Sequence, residues 1–118
     1  MRSKIEKVSD FILEAHESGR TFCNLEKDMK PEDFDEAYKI QHRLRQKLPR
    51  GPLGGYKIAL SSKIPQDYHK ISQPVYGGLF KNEIFNSPKI LALNNYHRMS
   101  VEFELAFELS DRILDPSI

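Results

Sequence analysis

The spacing of apolar residues changes midway along the chain, at Pro49-Arg50-Gly51-Pro52. Before this segment, apolar residues recur every three or four positions, which is the period of an amphipathic helix. After it, short apolar runs are separated by Gly, Pro, Asn and Ser, which is typical of strands and turns. Because helices precede strands instead of alternating with them, the pattern predicts an α+β fold and argues against a doubly wound sheet.

Residues 1–50 are predicted to form an N-terminal region of two helices. The first follows apolar positions from Ile5 to Ala15, with Ser3 as its N-cap and Gly19 at its end. The second is signalled by Pro31 near its first turn and by acidic residues beside the positive end of the helix dipole. Its last turns carry a basic cluster, interpreted as a solvated helix end, made of Arg43, Arg45 and Lys47.

Residues 51–118 are predicted to be β-rich, with strands at 55–60, 75–80, 89–93 and 101–109. The last is the clearest, because Val101, Phe103 and Leu105 begin a strict alternation over nine residues, in which glutamates and Ala106 take the intervening positions. A half-buried strand so near the end of the sequence suggests that its sheet is completed by something else. We therefore expect this region to be the first part of a larger β-rich domain, and the fold to be incomplete.

Charge and cysteine content exclude several classes of function. The 118 residues include 18 Lys+Arg and 17 Asp+Glu, so the net charge is +1 and no excess of positive charge favours nucleic acid. No window approaches the roughly 20 apolar residues of a membrane span. The single cysteine, Cys23, can form neither an internal disulfide nor a cysteine-based zinc site. We expect a cytoplasmic protein that binds neither nucleic acid nor membranes.

The best candidate for chemistry is the pair Glu102 and Glu104. Side chains two apart in a strand point the same way, about 6.5 Å apart at Cα, so both carboxylates can face one cation. Oxygen ligands suit Mg²⁺, Mn²⁺ or Ca²⁺ rather than Zn²⁺. The alternative is a solvent-facing strand in which both glutamates are simply the polar positions of the alternation.

Lys57 is a second candidate because it lies within the apolar run Tyr56-Lys57-Ile58-Ala59-Leu60. Partial burial would move its pKa towards neutral pH and make it a proton donor, or it could hold a substrate carboxylate. The alternative is an exposed lysine on the polar face of the strand. Ser61 and Ser62 follow, and their hydroxyls can donate hydrogen bonds to an anion or stabilise a turn.

Four segments in order resemble one enzyme family. They are Glu36-Ala37-Tyr38-Lys39-Ile40-Gln41, Gly55-Tyr56-Lys57-Ile58-Ala59-Leu60-Ser61-Ser62, Gln73-Pro74-Val75-Tyr76-Gly77-Gly78-Leu79 and Val101-Glu102-Phe103-Glu104-Leu105-Ala106-Phe107. Together they resemble the N-terminal part of the 2-keto-4-pentenoate hydratase and 2-oxo-3-hexenedioate (4-oxalocrotonate) decarboxylase family, within the fumarylacetoacetate hydrolase-like superfamily.

The resemblance implies a lyase of aromatic catabolism that acts on small 2-oxo or 2-hydroxydienoate acids through a metal-stabilised enolate. It also implies a mixed β-roll, a homo-oligomeric complete enzyme and a divalent metal, Mg²⁺ or Mn²⁺. By the same analogy Glu102 and Glu104 are metal ligands, and Lys57 is the catalytic lysine. Leu79 and Phe80 would line the substrate pocket, with Ser62 beside it.

Departures from the family pattern bear on activity. Val75 stands where hydratases commonly carry Asp, which favours decarboxylation, and Ala59 replaces a usual Gly. Family chains are considerably longer, and their third carboxylate ligand lies downstream of the Glu102-Phe103-Glu104 segment. We therefore expect little turnover from the 118 residues alone. The alternative function is a truncated, non-catalytic remnant or interaction fragment of such an enzyme.

Overall fold

The computed structural model describes residues 2–20, 23–96 and 98–112. In chain order these form α1 (Lys4–Glu17), α2 (Phe34–Lys47), β1 (Leu53–Ala59), α3 (Lys63–His69) and β2 (Val75–Phe80), followed by 3₁₀ turns at Lys81–Glu83 and Leu93–Asn95. The α+β class is therefore confirmed, but the predicted order of helices before strands holds only for α1 and α2, because α3 lies between β1 and β2. None of the helices in these ranges is long and apolar enough to cross a membrane.

Helix α1 begins and ends where its sequence predicts. The Ser3 hydroxyl accepts a hydrogen bond from the backbone N–H of Glu6 at 3.3 Å, and Gly19 follows the helix at φ 68°. The buried stripe of α1 contains Val8 and Ala15, at 0% and 5% exposure. These residues form the centre of the helical packing.

Helix α2 packs against α1 and begins after Pro31. Its N-cap is Asp33, whose carboxylate accepts a hydrogen bond from the backbone N–H of Glu36 at 2.8 Å. Pro31 lies near the first turn, as predicted, but it precedes the N-cap and stands outside the helix. A capping carboxylate satisfies the free N–H groups of the first turn, a role that proline cannot fill.

An ion-pair cluster joins the two helices. Glu6 of α1 receives hydrogen bonds from Arg43 at 2.6 Å and from Lys47 at 2.7 Å, and Lys47 also contacts Asp10 at 2.5 Å. The interpretation of the basic cluster as a solvated helix end is therefore wrong for Arg43 and Lys47. Hydrogen bonds from Lys47 hold the pKa of both Glu6 and Asp10 below their usual range.

The sheet consists of β1 and β2, which pair antiparallel with Lys57 opposite Gly77 and Ala59 opposite Val75. A bulge interrupts the register at Gly54, where an added Cβ would lie 2.7 Å from the Cα of Lys81. The prediction of β2 is confirmed at both ends, and β1 begins and ends slightly earlier than its prediction.

Helix α2 anchors the sheet through the backbone of β2. The ring of Tyr38 stacks on that of Tyr76, with centroids 4.4 Å apart, and its hydroxyl accepts a hydrogen bond from the Tyr76 N–H at 3.3 Å. The side-chain amide of Gln41 donates to the Tyr76 carbonyl at 3.0 Å. Both backbone groups of Tyr76 therefore bond to a helix instead of a strand.

Two predicted strands are wrong. Residues 89–93 and 101–109 belong to no sheet in the described ranges. The apolar side chains of the second segment are open to solvent, with Phe103 at 99% and Leu105 at 87% exposure. An alternating pattern produces a strand only where another strand pairs with it, and the described chain supplies no such partner. The wider β-roll accordingly remains an expectation.

Candidate functional site

Lys57 stands on one face of the two-stranded sheet. Residues directly opposite in an antiparallel pair share a face, as do residues two apart, so Lys57 lies beside Ala59, Val75 and Gly77. The apolar run around Lys57 results from its neighbours alternating to the other face, where Tyr56 and Ile58 are 57% and 65% exposed. The strand thus presents its lysine above small side chains.

Glu102 and Glu104 converge on this lysine. The Lys57 Nζ donates to Oε2 of Glu102 at 2.8 Å and to Oε1 of Glu104. The two carboxylates point the same way, as expected for residues two apart in an extended segment. The structure therefore brings together three residues that the sequence singles out, although 45 positions separate Lys57 from Glu102.

The ion pairs shift the pKa values of Lys57 and Glu102, although the site is exposed to solvent. The hydrogen bonds that Lys57 donates to Glu102, and then to Glu104, raise the pKa of Lys57, and the same contact lowers the pKa of Glu102. The expected fall of the lysine pKa through burial is not found, because its side chain is 38% exposed and faces two carboxylates. Lys57 is consequently a protonated ammonium at neutral pH.

A shallow open groove of about 340 Å³ runs along this face of the sheet. Its lining combines the lysine with one aromatic residue and with small or aliphatic residues, namely Lys57, Tyr76, Ala59, Val75, Gly77, Gly78 and Leu79. A second depression of about 430 Å³ lies beside α2, between Ile5 and His42. We assign the candidate site to the smaller groove because its lining includes Lys57, the lysine on which Glu102 and Glu104 converge.

The predicted substrate-binding residues have different positions. Leu79 lines the groove. Phe80 does not, because it is only 6% exposed and lies beneath the guanidinium of Arg50, whose Cζ is 6.0 Å from the ring centroid. Ser62 is the exposed residue before α3, and its hydroxyl makes no capping hydrogen bond. Any substrate role for these three residues stays a prediction.

The chemistry of the donor set fits a hard divalent cation in part. Two carboxylates already converge on the positive charge of Lys57, and two negative charges against one leave the cluster net negative. Within the described ranges, however, no group of three or more His, Cys, Asp or Glu side chains is placed to hold a metal. Glu102 and Glu104 thus form at most part of a coordination sphere.

Ala59 and Gly77 line the groove, although the sequence alone predicts no site role for either residue. The Gly77-Gly78 pair matches no phosphate-binding pattern, and it contributes to the sequence analysis only as part of a segment that resembles the family. The available signal is a glycine in the interior of a strand, opposite a candidate lysine. Such a glycine marks close approach of a ligand or of another backbone.

Comparison with known proteins gives relatives of one kind. The chain is 30% identical over 108 residues to the 2-keto-4-pentenoate hydratase of Paraburkholderia xenovorans LB400, which covers 88% of this chain and 39% of the relative. It is 33% identical over 86 residues to the 2-oxo-hept-4-ene-1,7-dioate hydratase of Escherichia coli, covering 71% and 32%. It is 32% identical over 107 residues to the TodF product hydratase of Pseudomonas putida F1, covering 89% and 40%.

The match extends over most of this chain but over a smaller part of each relative. The chain spans about two fifths of the length of the first two hydratases it matches, at 39% of each. No protein-family profile matches the chain. No solved structure gives a significant match. The agreement of four relatives, all named as hydratases, shows that the chain belongs to the family of 2-keto-4-pentenoate hydratase and related hydratases.

Proposed function

We propose that this chain carries the lysine and two carboxylates of a hydratase site for small 2-oxo or 2-hydroxydienoate acids of aromatic catabolism. The observation that carries the proposal is the convergence of Lys57, Glu102 and Glu104 at the edge of an open groove. The similarity to enzymes named as hydratases of unsaturated acids supports the choice of reaction. A cytoplasmic location is part of the same proposal.

Lys57 is suited to donate a proton rather than to accept one. Hydration of a carbon–carbon double bond adds hydroxide at one carbon and a proton at its neighbour, and a positioned ammonium can deliver that proton. The lysine then recovers its proton from the water that supplied the hydroxide, so the overall addition is one molecule of water. Lys57 is protonated before the substrate arrives, and the two carboxylates that raise its pKa stabilise this charged form.

Glu102 and Glu104 would hold the divalent cation, Mg²⁺ or Mn²⁺. Such a cation supplies a Lewis acid that stabilises negative charge developing on the oxygens of a 2-oxo acid. The carboxylates have a second effect within this chain, because they fix the ammonium of Lys57 over the groove. The same proposal includes further metal ligands from outside the described residues. It also includes assembly of the complete enzyme into a homo-oligomer.

Decarboxylation is the closest alternative reaction, and Val75 is the residue that suggests it. Val75 lines the groove opposite Ala59, so the apolar side chain expected of decarboxylases does face the candidate site. The relatives, however, are named as hydratases, which favours hydration. Comparing consumption of 2-hydroxypenta-2,4-dienoate with release of carbon dioxide from 2-oxo-3-hexenedioate distinguishes the two reactions.

A non-catalytic interaction fragment is the alternative from another class. The exposure of the apolar residues in 101–109 favours it, with Phe103 at 99% and Phe107 at 85%. Under that alternative Glu102 and Glu104 have no role beyond pairing with Lys57, and their removal leaves metal affinity unchanged.

Calorimetric titration of Mn²⁺ into the chain, with and without oxalate as an enolate mimic, tests the proposed site. We expect binding that oxalate strengthens and that the Glu102→Gln/Glu104→Gln variant abolishes. Glu108→Gln is the matched control, because it changes the same residue type in the same segment. Failure of a folded wild-type sample to bind Mn²⁺, or unchanged binding in the double variant, would contradict the proposed metal site.

A further inference from the structure

Gly77 lies at a strand position where neither the backbone conformation nor the packing of the described residues requires glycine. A Cβ built on Gly77 would meet no heavy atom within 4 Å, and its φ lies outside the left-handed region. Its neighbour differs, because a Cβ on Gly78 would lie 2.7 Å from the Leu53 side chain and 3.2 Å from that of Arg45. A Cβ at Gly78 would require the Leu53 and Arg45 side chains to shift, whereas a Cβ at Gly77 would meet no atom at all.

A glycine in the interior of a strand weakens the strand, because its backbone loses more freedom on folding and no side chain packs. Glycine at position 77 therefore destabilises the strand, and no packing contact among the described residues compensates for this loss of stability. An offset is available outside the chain, where a ligand or another backbone can approach the strand more closely than a Cβ would allow.

The register places this gap within the candidate site. Gly77 pairs directly with Lys57, so a side chain at 77 would project from the same face as the lysine, about 5 Å from its Cβ. Ala59 and Val75 adjoin it on that face, and all four residues line the groove. The floor beside the ammonium is thus lowest at Gly77.

We propose that Gly77 determines specificity by letting the unbranched carbon chain of a 2-oxo acid lie against β2, beside Lys57 and across the groove floor. The inference rests on the proposed function, because it concerns the substrate of the same site. A methyl group at position 77 occupies the space of that carbon chain and reduces its affinity, without disturbing the fold.

The test compares two probes on three proteins. Affinity for 2-oxopentanoate, which extends along the groove, and for oxalate, which has no carbon chain beyond its carboxylates, is measured by calorimetry in the presence of Mn²⁺. The proteins are wild type, Gly77→Ala and Gly55→Ala. Gly55 is the matched control, since it lies on the same face, has its nearest neighbour 4.0 Å from an added Cβ and lies outside the groove lining.

We expect Gly77→Ala to lose roughly tenfold or more in affinity for 2-oxopentanoate, the effect of one methyl group in a fitted pocket. Its affinity for oxalate and its thermal midpoint should match those of wild type, and Gly55→Ala should bind both probes normally. Unchanged binding of 2-oxopentanoate by Gly77→Ala would overturn the inference and leave the proposed function in place.

Three further outcomes overturn it. An equal loss for both probes would show that the methyl group does not act on the carbon chain. A clearly lowered thermal midpoint in Gly77→Ala would show that glycine is needed for packing. A wild type that binds neither probe would overturn the inference together with the proposed function, which separates that failure from the others.

Discussion

The helical pair buries its apolar residues, whereas the segment 98–112 leaves many of its own exposed to solvent. In the helices, Val8 is fully buried and Ile40 is 4% exposed, and the charged residues around them pair across the interface. In the second region, Val101 is 73% and Leu109 is 67% exposed, and the segment makes no backbone ladder with any described strand. The two glutamates of the candidate site lie in the second region.

This difference separates stability from chemistry within one chain. The helices bury their apolar stripes mainly against each other, so they form the better-packed part of the molecule. The glutamate-bearing segment is tied to β1 by its ion pairs with Lys57, and such exposed pairs contribute little. The geometry of the site therefore depends on the segment 98–112, which has fewer stabilising contacts than the helices.

The largest expected effect comes from the same substitution made in both regions. Val8→Ala should lower the free energy of unfolding by about 2 kcal/mol, because it removes buried methyl groups and leaves a cavity. Val101→Ala should change it by less than about 0.5 kcal/mol, since Val101 is already in solvent. Urea unfolding followed by circular dichroism at the helical minimum measures both. Equal effects at the two positions would mean that 101–109 is packed in solution.

The second expected effect is a loss of helix stability at acidic pH. The pKa values of Glu6 and Asp10 are lowered in the folded state from 4.5 and 3.8, so their stabilisation is complete above those values and is lost as the pH falls through the folded-state pKa values. The thermal midpoint of the helices should therefore drop as the pH falls below 4.5. Lys47→Met should be less stable at neutral pH and should flatten this acid limb. An unchanged acid limb in Lys47→Met would exclude Lys47 as its cause.

The smallest effect should be local. Lys57→Met removes the two ion pairs that hold Glu102 and Glu104 near β1, so chymotrypsin should cut at Phe103 and Phe107 several-fold faster, with little change in the thermal midpoint. Lys63→Met is the matched control, because it removes an exposed ion pair with Asp67 within α3. Equal cleavage of the two variants would show that Lys57 does not hold the segment.

The elements predicted correctly are those whose partners follow from short-range patterns. Helix α1 has its cap, its stripe and its terminal glycine within a single stretch, and β2 is bounded by Pro74 and by the turn after Phe80. Helix α3 escapes prediction because Pro65 lies in its first turn, where proline is tolerated but reads as a break. The strand expected at 101–109 fails for the opposite reason, since its pattern is strong but its partner is not in the described chain.

The candidate site could be named from the sequence but not assembled from it. Lys57, Glu102 and Glu104 each stand out locally, and spacing alone places the two glutamates on one side of an extended segment. The contact between them and the lysine joins positions 45 and 47 apart, which no periodicity encodes. Gly77 becomes informative only when the register places it opposite Lys57.

Helix α2 also controls the direction in which the sheet can grow. Because Tyr38 and Gln41 occupy both backbone groups of Tyr76, the outer edge of β2 is closed to a pairing strand at that point. No described strand other than β2 pairs with β1, so the outer edge of β1 is unpaired among the described residues. A fusion or circular permutation that adds strands to this protein should therefore join them beside Leu53–Ala59, with α2 as the fixed border of the sheet.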